Sequence, residues 1–372
     1  MPQDAYSITL MNGDRITVLF GEATSQQKPQ CYALSARSWG SYLDEDEVIA
    51  REEHLVEQSL ARNGGCRLWC LYRQDDHDQV FSTCKTVRRM FLMADKQGAH
   101  EILGYCVSSV STALPYRGHG LACFMLQHVA QWLDGVGDAA VSVLYSGMPE
   151  FYERTGWMML PNLETILSIN PWLRDGLGSY ADLSVRSLSN ADIEKLCVQD
   201  VEALKVGAER TEPTVDTVHL TVLPIAELVK YQHAIADYMG NLWHCEAPQY
   251  RGAAYQDQAW LYWFHDFRGR CLYIQRVHNA IQAKDEGPNI VTALLLSAVR
   301  EAKEWNFTSI VTWDDSPDVR TALEKLAQAG IYTKGVGEAK RTQRISVRWR
   351  YGEKKLVDTV MSNESYVWNS RN

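Results

Sequence analysis

One stretch constrains the fold of this chain more than any other: "VSSVSTALPYRGHGLACFMLQHVAQWL", residues 107–133. In it a strand-like run leads through a turn with Gly118 and Gly120 directly into a long helical pattern. Leu121, Phe124, Met125, His128, Val129, Trp132 and Leu133 fall on one helical face, apolar except for His128, as expected of a helix laid against a sheet. Glycines at the entrance to such a helix let backbone N–H groups converge. The unpaired amides of its first turn carry partial positive charge, so the turn suits a phosphate. On the glycines alone a simple tight turn is the plainer reading; Arg117 and the strand before it strengthen the anion reading. The two commonest phosphate loops do not fit. No Lys-Ser/Thr follows the glycines, and no third glycine with an acid about 20 residues on completes a dinucleotide fingerprint.

The flanking pattern supplies the sheet. "RLWCLYRQ", "VFSTCKTVRRMFLMA" and "EILGYCVSSVST" are rich in β-branched and aromatic residues, separated by "DDHD" and "DKQGAH", and read as consecutive antiparallel strands. "SITLMNGDRITVLF" is strand-like, and a helix opening after Trp39 carries acids early, arginine late and a Gly-Gly stop. "AAVSVLYS" is a further strand; "GMPEFYERTGW" after it predicts a short helix with Phe151 and Tyr152, capped by Gly156. Pro171, Gly176 and Gly178 mark a boundary. Beyond it "WLYWFHDF" and "GRCLYIQRV" predict a hairpin, "NIVTALLLSAVREAKEW" an amphipathic helix and "TSIVTWD" a strand. That order repeats the first half, with "KDEGPN" in place of the glycine turn.

Length, charge and cysteines narrow the function. Two domains of ordinary size fit 372 residues, and a net charge of −9 with only short basic clusters such as "KRTQR" disfavours a nucleic-acid partner. The acidic balance suits a cationic or amine-bearing substrate. The first 20 residues lack the basic start and apolar core of a signal peptide, and no run approaches the ~18 apolar residues of a membrane helix, so a cytoplasmic location without membrane association is expected. Nine cysteines then read as reduced thiols; Cys66 and Cys70 have no second pair at zinc spacing, and no metal is expected.

"YRGHGLA" and "FYERTGW" together resemble the pyrophosphate loop and the "FYEKLGF"-type segment of the GNAT superfamily of N-acetyltransferases. Over nearly the full length, "ARSWGSYL", "LWCLYR", "STCKTVRR", "SVLYSGMPEFYERTGW", "LYIQRV", "EAKEWNFTSIVTW" and "NESYVWN" resemble the fungal lysine N-acetyltransferase family. The resemblance implies an α/β (α+β) fold: a mixed, mostly antiparallel GNAT sheet with flanking helices over residues 1–170, then a second GNAT-like domain over 171–372. It implies acetyl-CoA as cosubstrate. The backbone of Val110, Ser111 and Thr112 would pair with pantetheine, and the amides of Arg117, Gly118, His119, Gly120, Leu121 and Ala122 would hold the pyrophosphate, with the Arg117 side chain on a phosphate oxygen. Tyr152 would protonate the leaving thiolate, and a backbone N–H on the preceding strand would polarise the carbonyl during direct attack.

Other residues stay open. Glu101, at the start of the strand leading to the loop, is a candidate general base, though a surface carboxylate is the plainer reading. Cys84 has no His or acid at a telling spacing and reads as a core thiol. His233, a lone histidine on an aromatic-rich helix, faces either the interdomain cleft or the core. Acceptor-side segments depart from the family: Cys84-Lys85-Thr86 stands where an acid is expected, "TALPYRG" lacks Pro-Pro-Glu, and "QRISVRWRYG" replaces a Ser-Ile-Pro-Ser-type segment. The acceptor is thus lysine or a related small amine, with an amine of a fungal secondary pathway, or a non-catalytic acyl-CoA or partner-binding protein, as the alternatives. Oligomeric state is not readable.

Overall fold

The computed structural model describes residues 5–9, 13–39, 43–161, 164–169, 183–210, 217–244, 246–281, 283, 286–331, 344–352 and 359–361. Most of the expected boundary segment, 170–182, lies outside the described residues, as does "NESYVWN". In chain order the elements of the first half are β1 (Ala5–Thr9), β2 (Arg15–Glu22), α1 (Lys28–Trp39), α2 (Glu45–Val56), β3 (Cys66–Arg73), β4 (Val80–Asp95), β5 (Gly98–Thr112), α3 (Leu121–Asp134), β6 (Val141–Ser146), α4 (Pro149–Glu153), β7 (Met158–Met159) and β8 (Thr165–Ser168). Then follow β9 (Val185–Leu188), α5 (Asn190–Arg210), β10 (Val218–Val222), α6 (Ala226–His244), β11 (Gly252–Tyr255), β12 (Ala259–Asp266), β13 (Cys271–Asn279), α7 (Glu286–Glu304), β14 (Ser309–Thr312), α8 (Pro317–Gln328), β15 (Arg344–Trp349) and β16 (Thr359–Met361). This is the expected mixed α/β architecture, with mostly antiparallel sheets flanked by helices.

The first sheet runs β1-β2-β3-β4-β5-β6-β15-β7, with β10 on the far end of β4 and β16 beside β10. The second runs β8-β14-β13-β12-β11-β9. Strands cross the expected 170/171 division in both directions. β15 threads between β6 and β7, pairing Val347 with Val143 and Ile345 with Tyr145, while β8 closes the second sheet against β14. The reason is edge satisfaction: β6 would otherwise end the sheet with a row of unpaired amides, and the alternating "RISVRW" supplies the missing ladder.

Helices cover both faces of the first sheet. On one, α3 buries Leu121, Met125, Leu126 and Val129 against Val18, Leu71, Phe81 and Val107. On the other, α1, α2 and the second-half helix α6 bury Cys31, Val48, Leu55, Tyr231 and Ile235 against Cys70, Val87 and Cys106. Helix α2 starts where its sequence dictates: Glu47 N donates to Asp44 Oδ1 at 2.8 Å and Asp44 N donates to Glu47 Oε2 at 3.0 Å, a reciprocal capping box. The second sheet repeats the first in its parallel pair, β13 with β14 over Cys271–Ile274, but α7 follows without a left-handed glycine turn.

Candidate active site

The site is a gap between two strands. β5 and β6 pair in parallel over only Gly104–Val107 and Val141–Leu144. β5 then continues to Thr112 with no strand paired to that edge among the described residues. Val110, Ser111 and Thr112 lie along this stretch, where the Ser111 carbonyl accepts from Ser82 Oγ at 2.8 Å and the Thr112 carbonyl from the Arg117 side chain. At the mouth of the gap the ladder with β4 slips. Thr83 pairs with Ser111 and Lys85 with Ser108, so Ser109 and Val110 share Cys84 as their single opposite number. Ser109 takes a left-handed φ of 55° to make this bulge. Its effect is to turn the backbone out of the ladder beside the gap.

Past Thr112 the chain makes a single 3-10 turn and reaches Gly118 and Gly120, with φ of +82° and +78°. Gly120 is the residue before α3, so the first helical amides follow it directly, and Arg117, Gly118 and Gly120 are exposed. A side chain at Gly120 would bring its Cβ within 2.9 Å of Tyr6 Oη, which itself donates to the His119 carbonyl at 3.2 Å. β1 therefore braces the turn from outside. The Arg117 side chain is used differently from expectation: its Nε donates to the Thr112 carbonyl at 2.9 Å and an Nη reaches Ser38 Oγ of α1 at 3.4 Å, tying the turn to the end of β5.

Tyr152 is carried to the gap by α4, one turn after β6 ends. It is buried in one apolar cluster with Cys84, Leu121, Met125 and Leu144. Burial pushes its phenol well above the usual tyrosine value, Cys84 adds to that, and a hydrogen bond with the Ser146 side chain opposes it. The phenol accordingly stays protonated at any physiological pH. The Cys84 thiol is also pushed up by burial, which removes it as a nucleophile.

Two sequence candidates are not brought here. Glu101 sits eleven positions before Thr112, ~35 Å along β5, and its carboxylate pairs with Lys205 Nζ at 2.7 Å on the surface. It sits at the far end of the strand because β5 runs unbroken from Gly98 to Thr112, so a residue at its start is a full strand length from the gap. His233 is buried beneath the second sheet, with Nε2 2.9 Å from Gln275 Oε1, and does not face an opening. Cys70 Sγ donates to Gln27 Oε1 at 3.6 Å, and among the described residues no group of three or more His, Cys, Asp or Glu side chains is arranged to hold a metal ion. Among the same residues no helix is long and apolar enough to cross a membrane.

On the opposite face of the sheet from Tyr152, beside Ser109, lies a narrow cavity that the sequence did not reveal. Tyr32 and Ser35 of α1, Arg51 and Glu52 of α2 and Lys85 of β4 line it. Lys85 Nζ pairs with Glu52, whose other oxygen accepts from Arg51 Nη2 at 2.8 Å, and all three side chains are buried. Burial alone would raise the Glu52 carboxyl. Lys85 and Arg51 together overcome it and hold it down to about 2, so Glu52 is an ion-pair partner and a poor base. The signal available in advance was the lysine standing where an acid was expected.

Comparison with known proteins agrees with this geometry. Residues 177–369 match the family described as the LYC1 GNAT-like C-terminal domain. The chain is 22% identical over 344 residues to a "Lysine acetyltransferase" of Yarrowia lipolytica, covering 80% of this chain and 85% of that protein. A GCN5-related N-acetyltransferase from Kribbella flavida superposes with a TM-score of 0.53 at 15% identity, over 89% of this chain and 71% of the other. A probable N-acyltransferase from Enterococcus faecalis V583 gives the same score at 13% identity, over 90% and 73%. At those identities the two structures speak for the fold. With the family match extending over just more than half of its length, the chain belongs to the LYC1 GNAT-like family and is an acyltransferase of the GNAT type.

Proposed function

We propose that the protein transfers the acetyl group of acetyl-CoA to the amine of lysine or a related small molecule by direct attack. One observation carries this: β5 runs on past its pairing with β6 into the exposed turn at Gly118 and Gly120, and the buried Tyr152 packs in one cluster with Leu121, which follows that turn, and Leu144, where the β5–β6 pairing ends. Acetyl-CoA fits these residues. Val110, Ser111 and Thr112 lie on the part of β5 that runs on beyond β6 and would flank pantetheine, with Arg117 giving up the Thr112 carbonyl, and the amides from Arg117 to Ala122 offer donors and a helix start to the pyrophosphate. Acetyl-CoA supplies the activated acyl group.

The remaining chemistry is the chain's. The bulge at Ser109 turns a backbone N–H beside the gap, where it can polarise the thioester carbonyl. The amine nitrogen attacks the carbonyl carbon, an N–C bond forms, the C–S bond breaks, and the departing thiolate takes the Tyr152 proton. The proton shed by the amine leaves to solvent and restores the phenol. A free lysine amine has a pKa of about 10.4, so the acceptor must lose its proton before attack. No residue of the chain is given that duty. The relative named for lysine supports lysine as the first acceptor to try.

The test is thiol release from acetyl-CoA across L-lysine, other amino acids, polyamines and a lysine-rich peptide. Turnover with a small amine is expected. Binding of acetyl-CoA with no turnover on any member would favour the non-catalytic reading.

A further inference from the structure

The burial of Tyr152 makes its task as a proton donor harder. An alkyl thiol has a pKa of about 8.5, whereas burial holds the Tyr152 phenol well above the ordinary tyrosine value of 10.0. Proton transfer from this phenol to a thiolate therefore runs uphill. It leaves a phenolate in an apolar cluster, where a charge without a hydrogen-bond donor is costly.

Ser146 is placed to supply that donor. It is the last residue of β6 and lies beyond Leu144, where the pairing with β5 ends. On its other edge β15 holds it in register, Arg344 opposite Ser146. Strand alternation puts it on the face of Leu144, the face against which Tyr152 packs. Ser146 and Tyr152 are each 5% exposed. The serine hydroxyl is hydrogen-bonded to the phenol, and its Oγ also accepts from Met148 N at 2.9 Å. That second bond closes a local turn just before Pro149, where α4 begins, so one stretch, "SGMPEFY", builds both the serine and the helix that carries the tyrosine. With one lone pair of Oγ taken by an N–H, the serine O–H is polarised and left to donate.

The rest of the surroundings offers the phenolate little. Leu121 and Met125 of α3 and Leu144 of β6 are apolar, and burial keeps the Cys84 thiol of β4 protonated. Glu150, Glu153 and Arg154 of α4 are exposed, and Arg344 turns its guanidinium to Met159 Sδ at 3.2 Å.

We propose that Ser146 is a positioning residue for acetyl transfer: its O–H donates to Tyr152 Oη, leaves the phenol proton for the departing sulfur and stabilises the phenolate that remains. This deepens the proposed transfer and rests on it for the event served. In that event the Tyr152 O–H bond breaks and an S–H bond forms on the leaving thiol. Ser146 keeps its own proton throughout, and the phenolate regains one when the amine sheds its proton.

One readout needs turnover and one does not. Thiol release is measured for Ser146→Ala, Ser146→Thr, Tyr152→Phe and the double variant Ser146→Ala with Tyr152→Phe. Ser146→Ala should lower kcat about tenfold, with the KM for acetyl-CoA within about twofold of wild type. Ser146→Thr, which keeps the hydroxyl, should recover most of that loss, and the serine change should have no further effect once the phenol is gone. For the second readout, 3,5-difluorotyrosine replaces Tyr152 in the full-length protein, lowering the ionisation into a range where the chain stays folded, and fluorine NMR follows its titration. Ser146→Ala should move that titration up by about one pH unit. An equal fall in kcat with and without the phenol, or an unmoved titration, overturns the proposal. A titration moved upward with no thiol release on any amine supports Ser146 as the donor to the phenol and sinks the transfer.

Discussion

Arg348 of β15 grips the Asp134 carboxylate at the end of α3 with both Nη atoms, at 2.7 and 2.5 Å, across 214 residues of sequence. The same guanidinium lies over the Trp157 ring at 5.6 Å, so one side chain joins the C-terminal strand, the helix of the glycine turn and the α4–β7 segment that follows Tyr152. Both partners are nearly buried, with side chains 13% and 11% exposed. Removing one leaves the other's charge without its partner. Arg348→Ala or Asp134→Asn should therefore destabilise the protein by about 3 kcal/mol, and the double variant by less than the sum. Urea denaturation of the three variants checks this; additive losses would show that the pair is not coupled.

The two glycines of the turn should respond differently to alanine. At Gly118 an added Cβ meets nothing within 4 Å, so only the left-handed backbone opposes it. At Gly120 the same backbone cost is joined by a contact with Tyr6 Oη at 2.9 Å. Gly118→Ala should cost about 1 kcal/mol and Gly120→Ala more, the excess vanishing when Tyr6 is also replaced by Phe. Thermal unfolding midpoints of the four proteins decide it.

Tyr152→Phe removes the proton donor and little volume. A fall in kcat of about 100-fold or more is expected, with acetyl-CoA binding unchanged. Because burial raises the wild-type phenol, its protonated form persists beyond the ordinary tyrosine value of 10.0, and wild-type activity should show no alkaline limb from this group below that pH. An unchanged kcat in the variant would remove Tyr152 from the reaction.

Acid should loosen the second half of the chain first. His233 and His265 are both held well below the ordinary value of 6.5, mainly by burial and then by Arg251. The folded state thus refuses protons that the unfolded chain accepts below that value. The sign follows: stability is full above about pH 6.5 and is lost progressively as pH falls through it. Glu52 acts in a lower window. Its folded value near 2 lies under the ordinary 4.5, so its contribution is present above 4.5 and is lost as pH falls from there towards 2. Stability measured from pH 8 to 5 should decline, and His265→Gln should flatten that slope; an unchanged slope would assign it elsewhere.

Much of the donor side was legible in the sequence because it is local. The strand-turn-helix from Val107 to Leu133, the Tyr152 helix and Gly156 are each specified by neighbours within a few turns of chain. α1 was not, since its buried residues Cys31, Tyr32 and Leu34 sit close together between Pro29 and the serines Ser35 and Ser38, without a clear stripe. β15 and β10 complete a sheet begun hundreds of residues earlier, and period-two patterns carry no address for their partner. The cavity between α1, α2 and β4 was hidden for another reason. The helix after Trp39 shows in sequence only its early acids and late arginine, and the approach of Lys85 from β4 is what reveals that Arg51 and Glu52 face inward.

On the proposed function, the turn at Gly118 and Gly120 grips the pyrophosphate of CoA at the start of α3. Its most direct test is the affinity of CoA and of pantetheine, which lacks the nucleotide diphosphate, for the wild-type protein and for Gly120→Val. We expect CoA to bind wild type ~100-fold more tightly than pantetheine, and most of that advantage to disappear in the variant while pantetheine binding is kept. Equal affinities of CoA and pantetheine for wild type, or an undiminished CoA advantage in Gly120→Val, would contradict it.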